Sequence, residues 1–255
     1  MPRKRSFTGT FTRPADSDDS APLLPESASE PSQALERPKT PTAFRPILIT
    51  GGAPRIPVDA VRFLSVHATG TTAARLRSRL AGQGRAVDLL LGAHAAPSEP
   101  ALRFDGRDDL ERELKRWISV HPEGIVVMAA AVNDYTVERI ESVTSGRSEA
   151  HAPGAKVPSG ADELVIRLRP APKVVDRLRS WGLRGPLVAF KYEAADTVLA
   201  SAQSLRARVG ASLVVANSLD GSVQALVDAI RVQQFPDREA LLVALSERLT
   251  ELASR

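Results

Sequence analysis

Charged and amide side chains in this chain collect where its apolar runs stop. Arg55, Asp59 and Arg62 follow "ILITGG", Asn133 and Asp134 follow "GIVVMAAA", and Lys191 and Glu193 close "LVAFKYE". Lys156 lies in a long polar excursion, and Arg206 and Arg208 sit late on the helix-patterned segment after Glu193. Cations gathered at strand ends can neutralise a polyanion such as a nucleoside triphosphate. Any one arginine among them reads equally well as the solvated face of an amphipathic helix. Gly51 and Gly52 would let backbone approach a phosphate closely, although a tight strand-to-loop turn needs glycine without any ligand. Other chemistries lack their residues. The chain has no G-x-G-x-x-G fingerprint, no G-x-x-x-x-G-K phosphate cradle and no Tyr-x-x-x-Lys pair. Zero cysteines exclude disulfides, thiolate metal sites and a cysteine nucleophile. His67, His94, His121 and His151 have no metal-ligand spacing, so no metal site is expected.

Those residues need a scaffold that brings strand ends together. Short apolar runs at 47–50, 86–92, 124–131, 187–192 and 212–217 alternate with amphipathic segments such as "TTAARLRSRLAGQG", "RDDLERELKRWISV", "PKVVDRLRSWG" and "DTVLASAQSLRARVG". Strands joined by crossover helices make an α/β fold with a doubly wound, mostly parallel sheet, and ligands of such sheets bind at the carboxyl ends of the strands. Two pieces break the alternation. Residues 136–169 carry "ELVIRLR" as one strand of an arm, lid or flap inserted after the third strand, and "QALVDAIRVQQF" precedes the last helix, "DREALLVALSERLTELA".

The chain has 255 residues, of which 1–44 are rich in Pro, Ser, Thr and Glu, without a sustained apolar period. They are expected to form a disordered tail, leaving 45–255 as one domain with a sizeable core. Arg3, Lys4, Arg5, Arg13, Arg37 and Lys39 balance Asp16, Asp18, Asp19, Glu26, Glu30 and Glu36 in that tail, so the net charge of +4 belongs to the domain. That excess suits an anionic small molecule as well as a nucleic acid, and the small molecule is the expected partner. No apolar run reaches membrane-spanning length and no secretory signal is recognisable, so a cytoplasmic protein with no membrane and no nucleic-acid partner is expected.

In chain order, "ITGGAPRIPVDAVRFLS", "GTTAARL", "VVMAAAVNDYTV", "AKVPSGADELVIRL", "VAFKYE" and "LVVAN" resemble the phosphopantothenate–cysteine ligases (phosphopantothenoylcysteine synthetases) of coenzyme A biosynthesis. The similarity covers essentially all of residues 46–254. Its most specific pieces are R-x-P-x-D-x-V-R-F from Arg55 to Phe63 and A-A-V-x-D-Y at 130–135. The resemblance implies a Rossmann-like domain forming a homodimer through its arm. It also implies a reaction in which CTP or ATP with Mg2+ activates the phosphopantothenate carboxylate as an acyl-nucleotide. Pyrophosphate leaves, and the cysteine amine then displaces the nucleotide. By matching position, Gly51, Gly52, Ala130, Ala131, Asp134, Lys156, Pro172, Phe190 and Arg208 would meet the nucleotide. Arg55, Asp59, Arg62, Asn133 and Lys191 would face the other substrate, and Lys156 and His67 are the catalytic candidates. No flavin is implied, and the flavoprotein decarboxylase of the next step would be a separate protein.

The departures fall mainly in one loop. Where the resembling ligases have S-N-x-S-S-G-K-M-G, this chain has Ser65-Val66-His67-Ala68-Thr69-Gly70-Thr71-Thr72-Ala73. Valine at the asparagine position neither donates nor accepts a hydrogen bond, and the loop lysine is Thr71. Pro158 and Ser159 replace two arm lysines, Ala171 replaces a turn asparagine, and Ser204 replaces a helix lysine. Two alternatives to the ordinary ligase therefore stay open. One is a nucleotide- or phosphopantothenate-binding pseudoenzyme with a partner or regulatory role; the other is a ligase for a different acid and amine.

Overall fold

A computed structural model describes residues 44–96, 100–152 and 154–254. The tail expected over residues 1–44 lies, but for Phe44, outside the described residues. The elements run β1 (Ile47–Gly51), β2 (Ile56–Pro57), β3 (Phe63–Leu64), α1 (Thr71–Gly82), β4 (Val87–Gly92), β5 (Leu102–Phe104), α2 (Arg107–Val120) and β6 (Ile125–Met128). Then come β7 (Tyr135–Thr144), β8 (Arg147–His151), β9 (Glu163–Pro170), α3 (Val174–Arg177), β10 (Leu187–Glu193) and α4 (Val198–Val209). The chain closes with β11 (Leu213–Ser218), β12 (Gln224–Val227), β13 (Val232–Gln234) and α5 (Arg238–Ala253).

The main sheet has the order β13-β12-β11-β10-β6-β1-β4-β5. It is parallel from β11 through to β5, and β12 and β13 close one side as an antiparallel hairpin. The doubly wound, mostly parallel sheet expected from the sequence is the observed one. Its strands are apolar on both faces because helices cover both. Leu48, Val126, Met128, Leu187 and Val214 face Leu110, Leu114, Val174, Leu178, Val198 and Leu205 of α2, α3 and α4 and the turn after α3. Ile47, Ile49, Val127, Val188 and Val215 face Leu76, Leu80, Leu241, Leu245 and Leu249 of α1 and α5. Alternate residues of one run thus feed two separate cores, as the period of two requires.

Between β6 and α3 the chain builds a second, antiparallel sheet of order β8-β7-β9. Ser145 and Gly146, both with positive φ, form the two-residue turn that joins β7 to β8. This arm packs through Ile140 and Val157 onto Val58 of the first loop, with Leu64, Val137, Leu164 and Ile166 around them.

Three expectations need correction. The third parallel strand stops at Met128 rather than Ala131. Beyond it the Ala130 amide donates to the Thr50 hydroxyl at 3.2 Å and the Ala131 amide to the Gly52 carbonyl at 2.9 Å, which turns the chain across the end of β1. The segment "PKVVDRLRSWG" is α-helical only over α3, because Gly182 adopts a positive φ and the Leu183 amide folds back onto the Leu178 carbonyl. That geometry buries both leucines. The five apolar runs leave out β5, a short parallel strand exposed at two of its three residues, and the first loop contains the small β2–β3 ribbon.

The glycines at the end of β1 are fixed by packing. A Cβ on Gly51 would sit 2.5 Å from Ala73 Cβ and 2.9 Å from Leu91 Cδ2, and one on Gly52, at φ +73°, 3.1 Å from the Gly92 nitrogen. Gly51→Ala should therefore push α1 off the sheet and cost about 2 kcal/mol, in the range of overpacked cores. Chemical denaturation of the variant beside wild type checks this.

Candidate functional site

The sheet reverses its winding direction between β1 and β6, and in open α/β sheets a crevice forms at the strand ends where that happens. Here a cavity of about 240 Å³ opens at the ends of β6 and β10, on the side covered by α3 and α4. Ala130, Ala131, Asp134, Phe190, Lys191 and Arg208 line it, as does Lys173. The first six were all named from the sequence. Lys173 was passed over, although it sits in the quoted "PKVV" and directly precedes α3.

Several contacts hold the lining in place. The Ala171 amide donates to the Asp134 carbonyl at 2.8 Å, which fastens the approach to α3 against the loop after β6. Arg177 of α3 donates to the buried Glu111 of α2 at 2.7 Å, and Glu111 also accepts from Arg107 at 3.1 Å. Every cation of the cavity has a carboxylate partner. Lys173 Nζ meets Asp134 Oδ2 at 2.6 Å, Arg208 pairs with Asp176, and Lys191 pairs with Glu193. The hydrogen bond from Lys191, with a second from Ser201, holds the Glu193 carboxyl below the usual carboxylate range.

On the β4 side of β1 lies a second cavity of about 430 Å³, lined by Phe63, Val66, His67, Thr69 and His94 among others. Val66 is 39% exposed and presents only methyl groups there. His94, which had been counted but not placed, lies parallel to Phe63 with ring centroids 5.7 Å apart. Arg55 stacks over the same Phe63 ring at 4.5 Å and pairs with Asp105 at 3.2 Å. It lines a further cavity with Asn133, whose side-chain oxygen accepts from the Tyr135 amide at 3.0 Å.

Asp59 and Arg62 hold the first loop to the arm. The Asp59 carboxylate is fully buried and takes both Nε and a terminal nitrogen of Arg62, at 2.9 and 2.6 Å. It also accepts the amides of Val61, Arg62 and Val157, and Arg62 donates to the Val157 carbonyl at 2.9 Å. Lys156, next to Val157, is exposed on this docked loop and does not line the cation-bearing cavity. Gly51, Gly52 and Pro172 flank that cavity without lining it.

Sequence reasoning also missed the opposite face of the strand ends. Asn217 Oδ1 and Gln224 Oε1, on paired residues of β11 and β12, are buried without a hydrogen-bond partner among the described residues. Arg238 reaches the Thr72 hydroxyl at 2.8 Å at the start of α1. Burial, and then the charge of Arg75, lower its pKa. The signal for Asn217 was present, since it ends an apolar strand run.

A Rossmann-like α/β protein with a cation-lined crevice beside the switch point of its sheet, and an antiparallel arm after the third strand, is the class these features define. The chain matches the family model described as "DNA/pantothenate metabolism flavoprotein C-terminal domain" over residues 43–234, and it belongs to that family. The bifunctional coenzyme A biosynthesis protein CoaBC of Thermococcus kodakarensis is 27% identical over 178 residues, 68% of this chain and 41% of that protein. The chain thus spans less than half the length of that relative. A DNA/pantothenate metabolism flavoprotein from Streptococcus pneumoniae superposes with a TM-score of 0.70 at 21% identity, covering 81% of this chain and 99% of that one. A Cab2 mutant in complex with phosphopantothenate-cysteine superposes at 0.61 with 18% identity, covering 81% and 88%. The family resemblance drawn from the sequence is borne out. Among the described residues no helix is long and apolar enough to cross a membrane.

The Asp59 clamp has a pH signature. Chiefly the Arg62 hydrogen bonds, aided by three backbone amides, hold its pKa far below the usual carboxylate range. Its contribution to docking is therefore complete above the unfolded-state pKa near 4 and is lost as pH falls through the folded-state value. Asp59→Asn should remove it at neutral pH. Hydrogen exchange at the Val157 amide, fast in the variant and slow in wild type at pH 7, measures this.

Proposed function

We propose that this protein ligates 4'-phosphopantothenate to cysteine at the expense of CTP or ATP. The carrying observation is the cavity at the ends of β6 and β10, which gathers Ala130, Ala131, Asp134, Phe190, Lys191 and Arg208 in one place. The carboxylate of phosphopantothenate attacks the nucleotide's α-phosphorus, pyrophosphate leaves, and the cysteine amine then displaces the nucleotide from the acyl carbon. The cations neutralise the phosphates, Phe190 packs against the ligand, and the Ala130–Ala131 turn, its own amides bonded to Thr50 and Gly52, is a fixed wall against which the ligand is oriented. Among the described residues no group of three or more His, Asp or Glu is placed to hold a metal ion, so Mg2+ would arrive bound to the nucleotide phosphates. No flavin takes part in the ligation itself, and a flavoprotein decarboxylase is the proposed partner for the step that follows. Lys156 and His67 are the catalytic candidates, Lys156 reaching phosphate once the arm meets a second copy in a cytoplasmic homodimer. Neither membrane nor nucleic acid is a partner.

One observation favours a second reading. Val66 offers the neighbouring cavity no hydrogen-bonding group at the position where resembling ligases have asparagine. A chain that binds nucleotide or phosphopantothenate but forms amide poorly, acting through a partner, follows from that, as does a ligase for another acid and amine.

The test is pyrophosphate release by the purified chain with phosphopantothenate and CTP or ATP, with and without cysteine, with products read by mass. Amide product supports the ligase; acyl-nucleotide without amide supports an enzyme arrested at the second step. No release with either nucleotide rejects catalysis. Calorimetry with CTP and ATP plus magnesium should detect binding in every case. Val66→Asn should raise amide yield by up to about a hundredfold, the low end of what one hydrogen-bond donor contributes to acyl transfer; a fall would mean the loop works through another residue.

A further inference from the structure

Lys173 is the one cavity cation whose ion pair bridges two separate loops. Lys191 and Glu193 are two residues apart on β10, and Arg208 and Asp176 tie α4 to α3. Lys173, by contrast, precedes α3 and reaches Asp134 in the loop after β6, across 39 residues of sequence. Both side chains line the cavity, and they are 45% and 51% exposed. An ion pair between half-exposed groups holds weakly, because solvent screens it and ordering two side chains offsets the attraction. A phosphoryl group entering the cavity carries more charge than a single carboxylate and offers a lysine ammonium several acceptors.

We propose that Lys173 binds the phosphoryl group of the cavity's ligand by exchanging it for Asp134. Without ligand, Asp134 occupies the ammonium and keeps the cavity internally neutral. With ligand, the phosphoryl oxygens take the ammonium and Asp134 is released towards the rest of the ligand. Two consequences follow that a merely structural ion pair would not produce. Asp134 competes with anions for Lys173, so removing its charge strengthens the binding of a bare anion. Removing Lys173 weakens anion binding and makes the state of Asp134 irrelevant to it. The inference rests on the ligase reading only for the identity of the ligand, since a nucleotide and phosphopantothenate both carry the required group.

The experiment is calorimetric titration of the full chain and of Lys173→Met, Lys173→Arg, Asp134→Asn and the Lys173→Met/Asp134→Asn double variant. The probes are inorganic pyrophosphate, CTP or ATP with magnesium, and phosphopantothenate. Thermal unfolding confirms that each variant is folded, which the exposure of both groups favours. Lys173→Met should lose affinity for pyrophosphate on the order of tenfold, the size of one charge-assisted hydrogen bond, and Lys173→Arg should recover most of it. Asp134→Asn should bind pyrophosphate about threefold more tightly, and should add nothing in the Lys173→Met background. Unchanged pyrophosphate binding in Lys173→Met, or no gain in Asp134→Asn, overturns the exchange. Whichever of nucleotide and phosphopantothenate loses affinity in Lys173→Met is the source of the phosphoryl group. The expected pyrophosphate pattern without binding of nucleotide or phosphopantothenate keeps the exchange and defeats the ligase reading. Nucleotide and phosphopantothenate that both bind with no dependence on Lys173 do the reverse, and wild type that binds none of the probes overturns both.

Discussion

The geometry of this protein depends on how the ends of β1 and β6 are joined. Two parallel strands at a reversal of winding diverge into helices on opposite faces, and their carboxyl ends would otherwise leave unpaired amides over an open crevice. Here the buried Thr50 hydroxyl takes the Ala130 amide, and the Gly52 carbonyl takes the Ala131 amide. The chain therefore leaves β6 early and crosses above β1. That crossing sets the position of Asp134, the start of the arm at Tyr135, and the cavity wall opposite Phe190. The small residues are required by this arrangement, since Gly51 and Gly52 have no room for a Cβ beside Ala73, Leu91, Gly92 and Ala95.

A second constraint sets where the arm lies. A fully buried carboxylate is costly unless its acceptor sites are filled, and Asp59 fills them with the Arg62 guanidinium and three backbone amides, one of them from Val157 beyond β8. Residues that look like a substrate site by type are used here to hold a loop and an arm together. The polar pair also fixes orientation, which the small apolar contact among Val58, Ile140 and Val157 would not do alone.

What could be read from the sequence follows from burial. The central parallel strands are buried on both faces, so they stand out as nearly uniform apolar runs even where the third was read three residues too long; the residues at and just beyond their ends, Ala130, Asp134 and Lys191 among them, could be located directly. The arm was legible only at β9, because β7 mixes polar and apolar residues without a clean period of two and β8 is short, polar and exposed. The β2–β3 ribbon is too short to show any period. Lys173 was missed for a different reason. It sits between two prolines' worth of turn and a four-residue helix, where neither strand nor helix periodicity marks a position, and only the Ala171–Asp134 backbone contact brings it to the cavity.

The departures from the resembling ligases are densest in the first loop, although Ala171 and Ser204 lie beside the other cavity. Val66 and His67 line the cavity on the β4 side of β1, and Thr71 opens the helix beside it, whereas Asp134, Phe190, Lys191 and Arg208 line the cavity on the β6 and β10 side. The end of β1, with its tightly packed glycines, stands between the two. Changes on one side can therefore accumulate without disturbing the packing or charge pairing of the other. In the proposed reaction this would let recognition of an anionic ligand and the delivery of an amine diverge separately, because the groups serving each are held by different loops on a shared, rigid sheet.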